Sequence, residues 1–143
     1  MKLPFTLGRL LFGGFFLYNG INHFLSYKSY AQYAAAKKVP FPEAAILGSG
    51  ALLTAGGASV LLGLRPKWGA AAIIAFLASV SPVMHDFWNH ESPEARQSEQ
   101  INFAKNAALL GAALALAAVE EPWPLAISAG HSEEHAKTDR IAA

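Results

Sequence analysis

The sequence contains no cysteine. Disulfides, thiolate zinc sites and iron–sulfur clusters are therefore excluded, and the redox compartment is not written in the chain. Charge is also scarce. Only 15% of the 143 residues are Asp, Glu, Lys or Arg, against roughly 25% in an average soluble domain. The net charge of +1 comes without a long basic run or a basic–aromatic interleaving, so nucleic acid is not an expected partner. There is no flavin or dinucleotide glycine fingerprint and no haem motif. No catalytic residue is assigned, and no catalytic activity of the chain on its own is expected.

What the chain has is apolar sequence in long blocks. Hydrophobic residues make up 53%, and polar loops and a polar tail dilute the mean hydropathy to +0.28. Such blocks predict an integral membrane protein in contact with the lipid bilayer. Four spans are expected, at about 5–24, 43–64, 68–84 and 101–119, each near the roughly 20 residues that cross the hydrocarbon core. The fold class is thus all-α, a four-helix membrane bundle. Lys2 and Arg9 before an apolar run resemble a signal peptide. Asn19, Asn22 and His23 within that run, and no Ala-x-Ala site close behind it, make it a retained first span. One domain, 1–129, is expected, followed by a polar tail, 130–143, expected to be disordered.

Between the first two spans the chain changes character. Tyr27, Tyr30 and Tyr33 recur every third residue, with Lys28, Lys37 and Lys38 among them. This is either a short segment lying in the membrane interface or an ordinary polar connector. Pro40 and Pro42 end it. In the second span Ala51, Ala55, Ser59 and Gly63 form a ladder of small residues for a neighbouring helix. Ala107, Gly111 and Ala115 do the same in the fourth. His85 to Gln100 reads as a polar loop. In the tail, His131 and His135 stand at i, i+4, the spacing of a weak metal pair.

Two polar groups stand out against this background. Asn19, Asn22 and His23 close the first span, and Asn102, Lys105 and Asn106 open the fourth. Each trio is spaced i, i+3, i+4, which puts its side chains on one helix face. Polar groups in a membrane are costly unless they face one another or water. Alternation of the spans puts both trios at one level with His85, Asp86 and Trp88, while the other ends of the spans show nothing comparable. An unpaired Lys105 would cost about 2.5–3.5 kcal/mol at mid-membrane. Asp86 is its expected counter-ion.

The nine residues Asn19, Asn22, His23, His85, Asp86, Trp88, Asn102, Lys105 and Asn106 form the candidate site. Three readings stay open. They are polar glue that sets helix register, with Lys105 snorkelling to the surface. They are a pocket for a quinone-type headgroup, in which a histidine exchanges a proton and Lys105 stabilises an oxyanion. Or His23, His85, His90 and Asp86 hold a metal, although their spacing fits no metal motif. A proton or ion path would need polar residues at several depths, and only one level has them.

The same residues carry a family resemblance. Gly8-Arg9-Leu-Leu-Phe-Gly13 is followed by Asn19-Gly20-Ile-Asn22-His23-Phe24. Lys38-Val-Pro40-Phe-Pro42 precedes the second span, and Leu61-Leu-Gly63-Leu-Arg65 ends it. His85-Asp86-Phe87-Trp88 and Asn102-Phe103-x-Lys105-Asn106-x-Ala108-Leu109-x-Gly111 complete the series. In order and spacing the chain, from about Gly8 to Val119, resembles the DoxX family of small bacterial membrane proteins. The resemblance implies a four-helix membrane bundle. The family takes its name from a small subunit of an archaeal thiosulfate:quinone oxidoreductase, and several members act as partners of other proteins in redox or stress responses. It therefore implies an accessory subunit of a larger redox-linked complex, or a quinone-binding protein. A quinone is the one cofactor it brings into view. With none intrinsic, any electron transfer needs a partner subunit that carries the cofactor.

Four spans put both termini on one side. Lys2, Arg9, Arg65, Lys67, Lys137 and Arg140 lie on that side, against Lys28, Lys37, Lys38 and Arg96 on the other. That bias points to cytoplasmic termini in a bacterial inner membrane.

Overall fold

A computed structural model describes residues 2–127. The tail 130–143, with its His131–His135 pair, lies outside the described residues. Five α-helices and no strand occur among the described residues: α1 Lys2–Leu25, α2 Tyr27–Ala36, α3 Pro42–Leu62, α4 Pro66–Met84 and α5 Pro93–Ala117. A single 3₁₀ turn, Phe87–Asn89, joins the last two. Each expected span falls on one of the four long helices. Two stretches are long and apolar enough to cross a membrane, Pro42–Leu62 and Pro66–Asn89. α1 and α5 carry more polar residues, Arg9 and the asparagines in α1 and the Asn102 trio in α5.

The tyrosine segment is a helix, α2, seated on α3 through the buried Ala31 and Ala34. The expected loop from His85 to Gln100 is a correction. α5 begins at Pro93, where the Ser92 side chain accepts a hydrogen bond from the Ala95 backbone amide. A serine cap followed by proline and glutamate is a strong helix start, so two polar turns precede the apolar part of α5.

Packing follows chain order. α1 lies against α3, α3 against α4 and α4 against α5, while the backbones of α1 and α5 do not approach closely. The α1–α3 contact is the tightest, because glycines let the backbones nearly touch. A methyl group on Gly57 would lie 2.3 Å from the Leu17 nitrogen, and one on Gly13 would lie 2.6 Å from the Leu61 nitrogen. Gly56 and Gly69 do the same between α3 and α4. Of the expected small-residue ladder, Ala51 and Ala55 are exposed, Ser59 lies against Gly69 of α4 and Gly63 is buried, while Gly50, Leu53, Gly57 and Val60 form the buried seam. Ala107, Gly111 and Ala115 of α5 are exposed as well.

At the end of α3, Gly63 takes φ +72°, a left-handed cap that favours glycine. The Ser59 hydroxyl donates to the Leu64 carbonyl nearby. Segment 118–127 then folds back under the helices. Trp123 is 1% exposed and meets Phe5 edge to face at 5.3 Å.

Candidate functional site

On α1 the buried residues Thr6, Arg9, Gly13, Phe16 and Gly20 step by three and four. His23 is the next position in that series, so it continues the seam instead of facing α5. It opens onto a pocket of about 430 Å³ between α1, α2, α3 and α4. Ala34, Val39, Ala45, Ile46, Phe76, Val80, Val83 and Met84 make its apolar walls. His23, Tyr30, Tyr33, Ser49, Ser79 and His85 supply its polar groups.

The two histidines are held differently, His23 by residues that line the pocket and His85 by one that does not. His23 Nδ1 lies 2.9 Å from the Ser49 hydroxyl, and its ring packs edge to face on Tyr30 and Phe76. His85 Nδ1 lies 2.7 Å from Oε2 of Glu99, which reaches over from the polar first turns of α5. Asn22 is set back from the pocket, where its amide donates to the Tyr30 hydroxyl at 2.9 Å. Asn19 donates to the Phe15 carbonyl of its own helix.

The expected Lys105–Asp86 pair is not formed. Asp86 Oδ1 lies 2.5 Å from Nζ of Lys37, at the end of α2, and Oδ2 accepts from Asn89 at 3.0 Å. His90 Nε2 is 3.5 Å from the same carboxylate. The hydrogen bond to Asp86 raises the pKa of Lys37 above the ordinary lysine value. Lys105 is exposed. Thus α2, whose residues Tyr30, Tyr33 and Ala34 cover one side of the pocket, is fastened at one end to α1 through Tyr30 and at the other to the end of α4 through Lys37.

Of the nine expected site residues, His23 and His85 line the pocket. Asn22 and Asp86 stand behind it through Tyr30 and Lys37. Trp88 is 52% exposed and packs edge to face on Phe87 and Phe103. Asn102, Lys105 and Asn106 do not line it. Sequence reasoning missed Tyr30, Ser49, Phe76 and Glu99. Among the described residues no group of three or more His, Asp or Glu is placed to hold a metal ion.

The opposite end of the helices is not featureless either. Arg9 is 3% exposed, and its guanidinium donates to the carbonyls of Pro124 at 3.0 Å and Leu125 at 3.4 Å. Nη1 and Nη2 are met in this way, which offsets part of the cost of burying the charge, while the buried Nε has no partner.

No curated protein and no solved structure matches the chain. The DoxX family model matches residues 5–86, from the start of α1 to the aspartate that fastens α2, and this span includes every residue that lines the pocket. The α5 pieces of the resemblance lie beyond the match. By that match, which covers more than half of its length, the chain belongs to the DoxX family and is a small membrane protein.

Proposed function

We propose that the chain crosses a bacterial cytoplasmic membrane four times, through α1, α3, α4 and α5, and that its pocket holds a small, largely apolar ring molecule of the quinone type. The observation that carries this reading is the pocket itself. Its volume of about 430 Å³ falls in the usual small-molecule range of roughly 300–1,000 Å³, and apolar walls with a few convergent polar groups are the common pattern of such sites. Four crossings are physically reasonable although α1 and α5 are less apolar. Arg9 is met by carbonyls and need not face lipid. The polar turns of α5 before Gln100 can stand outside the bilayer, and Lys105 can extend its stem toward them.

Titration of a decyl-substituted para-benzoquinone into the purified protein in detergent tests the reading. His23→Ala and His85→Ala should each weaken binding about tenfold, the worth of one good polar contact. Lys105→Met should not change it. Normal binding by both folded histidine variants would sink the assignment.

A second reading rests on α5, whose only buried residue is Ala113 and whose Gly111 has open space where a side chain would be. A small-residue face of this kind lets another helix approach closely. It favours an accessory role in a larger redox-linked membrane complex, where a partner subunit carries the electron-transfer cofactor. A stoichiometric partner retained after mild extraction would support it, and a lone monodisperse species would count against it.

A further inference from the structure

The hydrogen bonds around His23 bear on which ring nitrogen carries its proton. The Ser49 hydroxyl donates its single hydrogen to the Ile46 carbonyl at 2.9 Å. Toward His23 Nδ1, also 2.9 Å away, it therefore offers only lone pairs. With the Ser49 hydrogen given to Ile46, Nδ1 carries the ring hydrogen, and in the neutral ring Nε2 is an acceptor. Tyr30 is in the reverse position. Its hydroxyl already accepts from Asn22 at 2.9 Å and keeps its own hydrogen to give. The two rings meet edge to face with centroids 5.1 Å apart, and both line the pocket. The residue that offers the acceptor and the residue that offers the donor are thus neighbours in the pocket wall.

A ligand carbonyl can use only the donor. Set beside Nε2, it leaves two lone pairs facing each other with no hydrogen between them, and an unmet buried polar group is costly. A hydroxyl uses both, accepting from Tyr30 and donating to Nε2. We infer that this pair makes the pocket select a ring hydroxyl, a phenol or quinol, over the matching carbonyl compound. The inference rests on the pocket being the ligand site. Asn22 and Ser49 are then positioning residues, one for the donor and one for the acceptor.

The test compares decyl hydroquinone with decyl para-benzoquinone by anaerobic calorimetric titration in detergent. A pH of about 8 keeps an ordinary histidine neutral. The hydroquinone should bind about tenfold more tightly. Equal binding, or tighter binding of the quinone, overturns the inference and leaves the pocket reading intact. Failure of both to bind overturns the two together. Ser49→Ala should bring the two affinities within about twofold of each other, whereas Ser49→Thr, which keeps the hydroxyl, should retain the preference. Nitrogen NMR of histidine-labelled protein gives a readout independent of ligand, and a His23 ring protonated at Nε2 instead of Nδ1 overturns the inference.

Discussion

The guanidinium of Arg9 donates from Nη1 to the carbonyl oxygen of Pro124 at 3.0 Å, joining residues 115 positions apart. It fastens α1 to the segment that folds back under the helices. Arg9→Met should cost about 2–3 kcal/mol, the loss of charge-assisted hydrogen bonds with carbonyls left unmet. Arg9→Lys should recover only part, since an ammonium cannot reproduce the planar fork that reaches two carbonyls. Denaturation in detergent gives the stability, and proteolysis within 118–127 should accelerate in both variants.

Glycine positions separate the packed face of α3 from the open face of α5. Gly57→Ala puts a methyl group 2.3 Å from the Leu17 nitrogen, and should cost about 3 kcal/mol through forced separation of α1 and α3. Gly111→Ala meets nothing within 4 Å, and should be neutral or stabilising by up to ~1 kcal/mol. Thermal unfolding of the two variants checks the placement. Destabilisation by Gly111→Ala would mean that another chain covers α5.

Lys37→Met and Asp86→Asn should each lower hydrogen-exchange protection across α2, and the double variant should be no worse than either. Lys105→Met should leave α2 unchanged. Asp86 holds the Lys37 pKa above the ordinary 10.5. The contribution of the pair is therefore complete between the ordinary aspartate value of 3.8 and pH 10.5; it is lost as pH rises through the raised lysine value and as pH falls through the lowered Asp86 value. Wild type should lose stability in that alkaline window more steeply than Lys37→Met.

The lack of cysteine makes single introduced thiols clean topological probes. With four crossings, Lys38→Cys and Glu94→Cys should react with an impermeant reagent from one face of the membrane, and Lys67→Cys and Glu120→Cys from the other. Labelling of all four from one side would end the four-span reading.

Much of the helical layout was legible in the sequence, because long apolar blocks, prolines and glycines mark helices in a way that later packing does not override. Alternation of the spans also correctly put His23, His85 and Asp86 at one end. It carries depth and no angle around the bundle, and for that reason Asp86 was matched to Lys105 when Lys37, at the same depth, is its partner. The same lack of angle puts Asn102 and Asn106 in the site with His23, although neither lines its pocket. The start of α5 at Ser92-Pro93-Glu94 was readable from its cap and was hidden by an expectation that helix begins where apolar residues begin. In the sequence Arg9 reads as a charge on the side of the termini, since nothing in its neighbourhood names carbonyls more than a hundred residues later.

The distance in sequence between Arg9 and Pro124 also orders events during synthesis. The arginine enters the translocation machinery with the first helix, and the carbonyls that meet it are made only after α5 is complete. Until then the guanidinium lacks the two carbonyls that meet it in the folded chain. The segment after α5 acts as the keystone: a nascent chain stopped before Pro124 would hold all four long helices and still lack the contact that fastens the first of them.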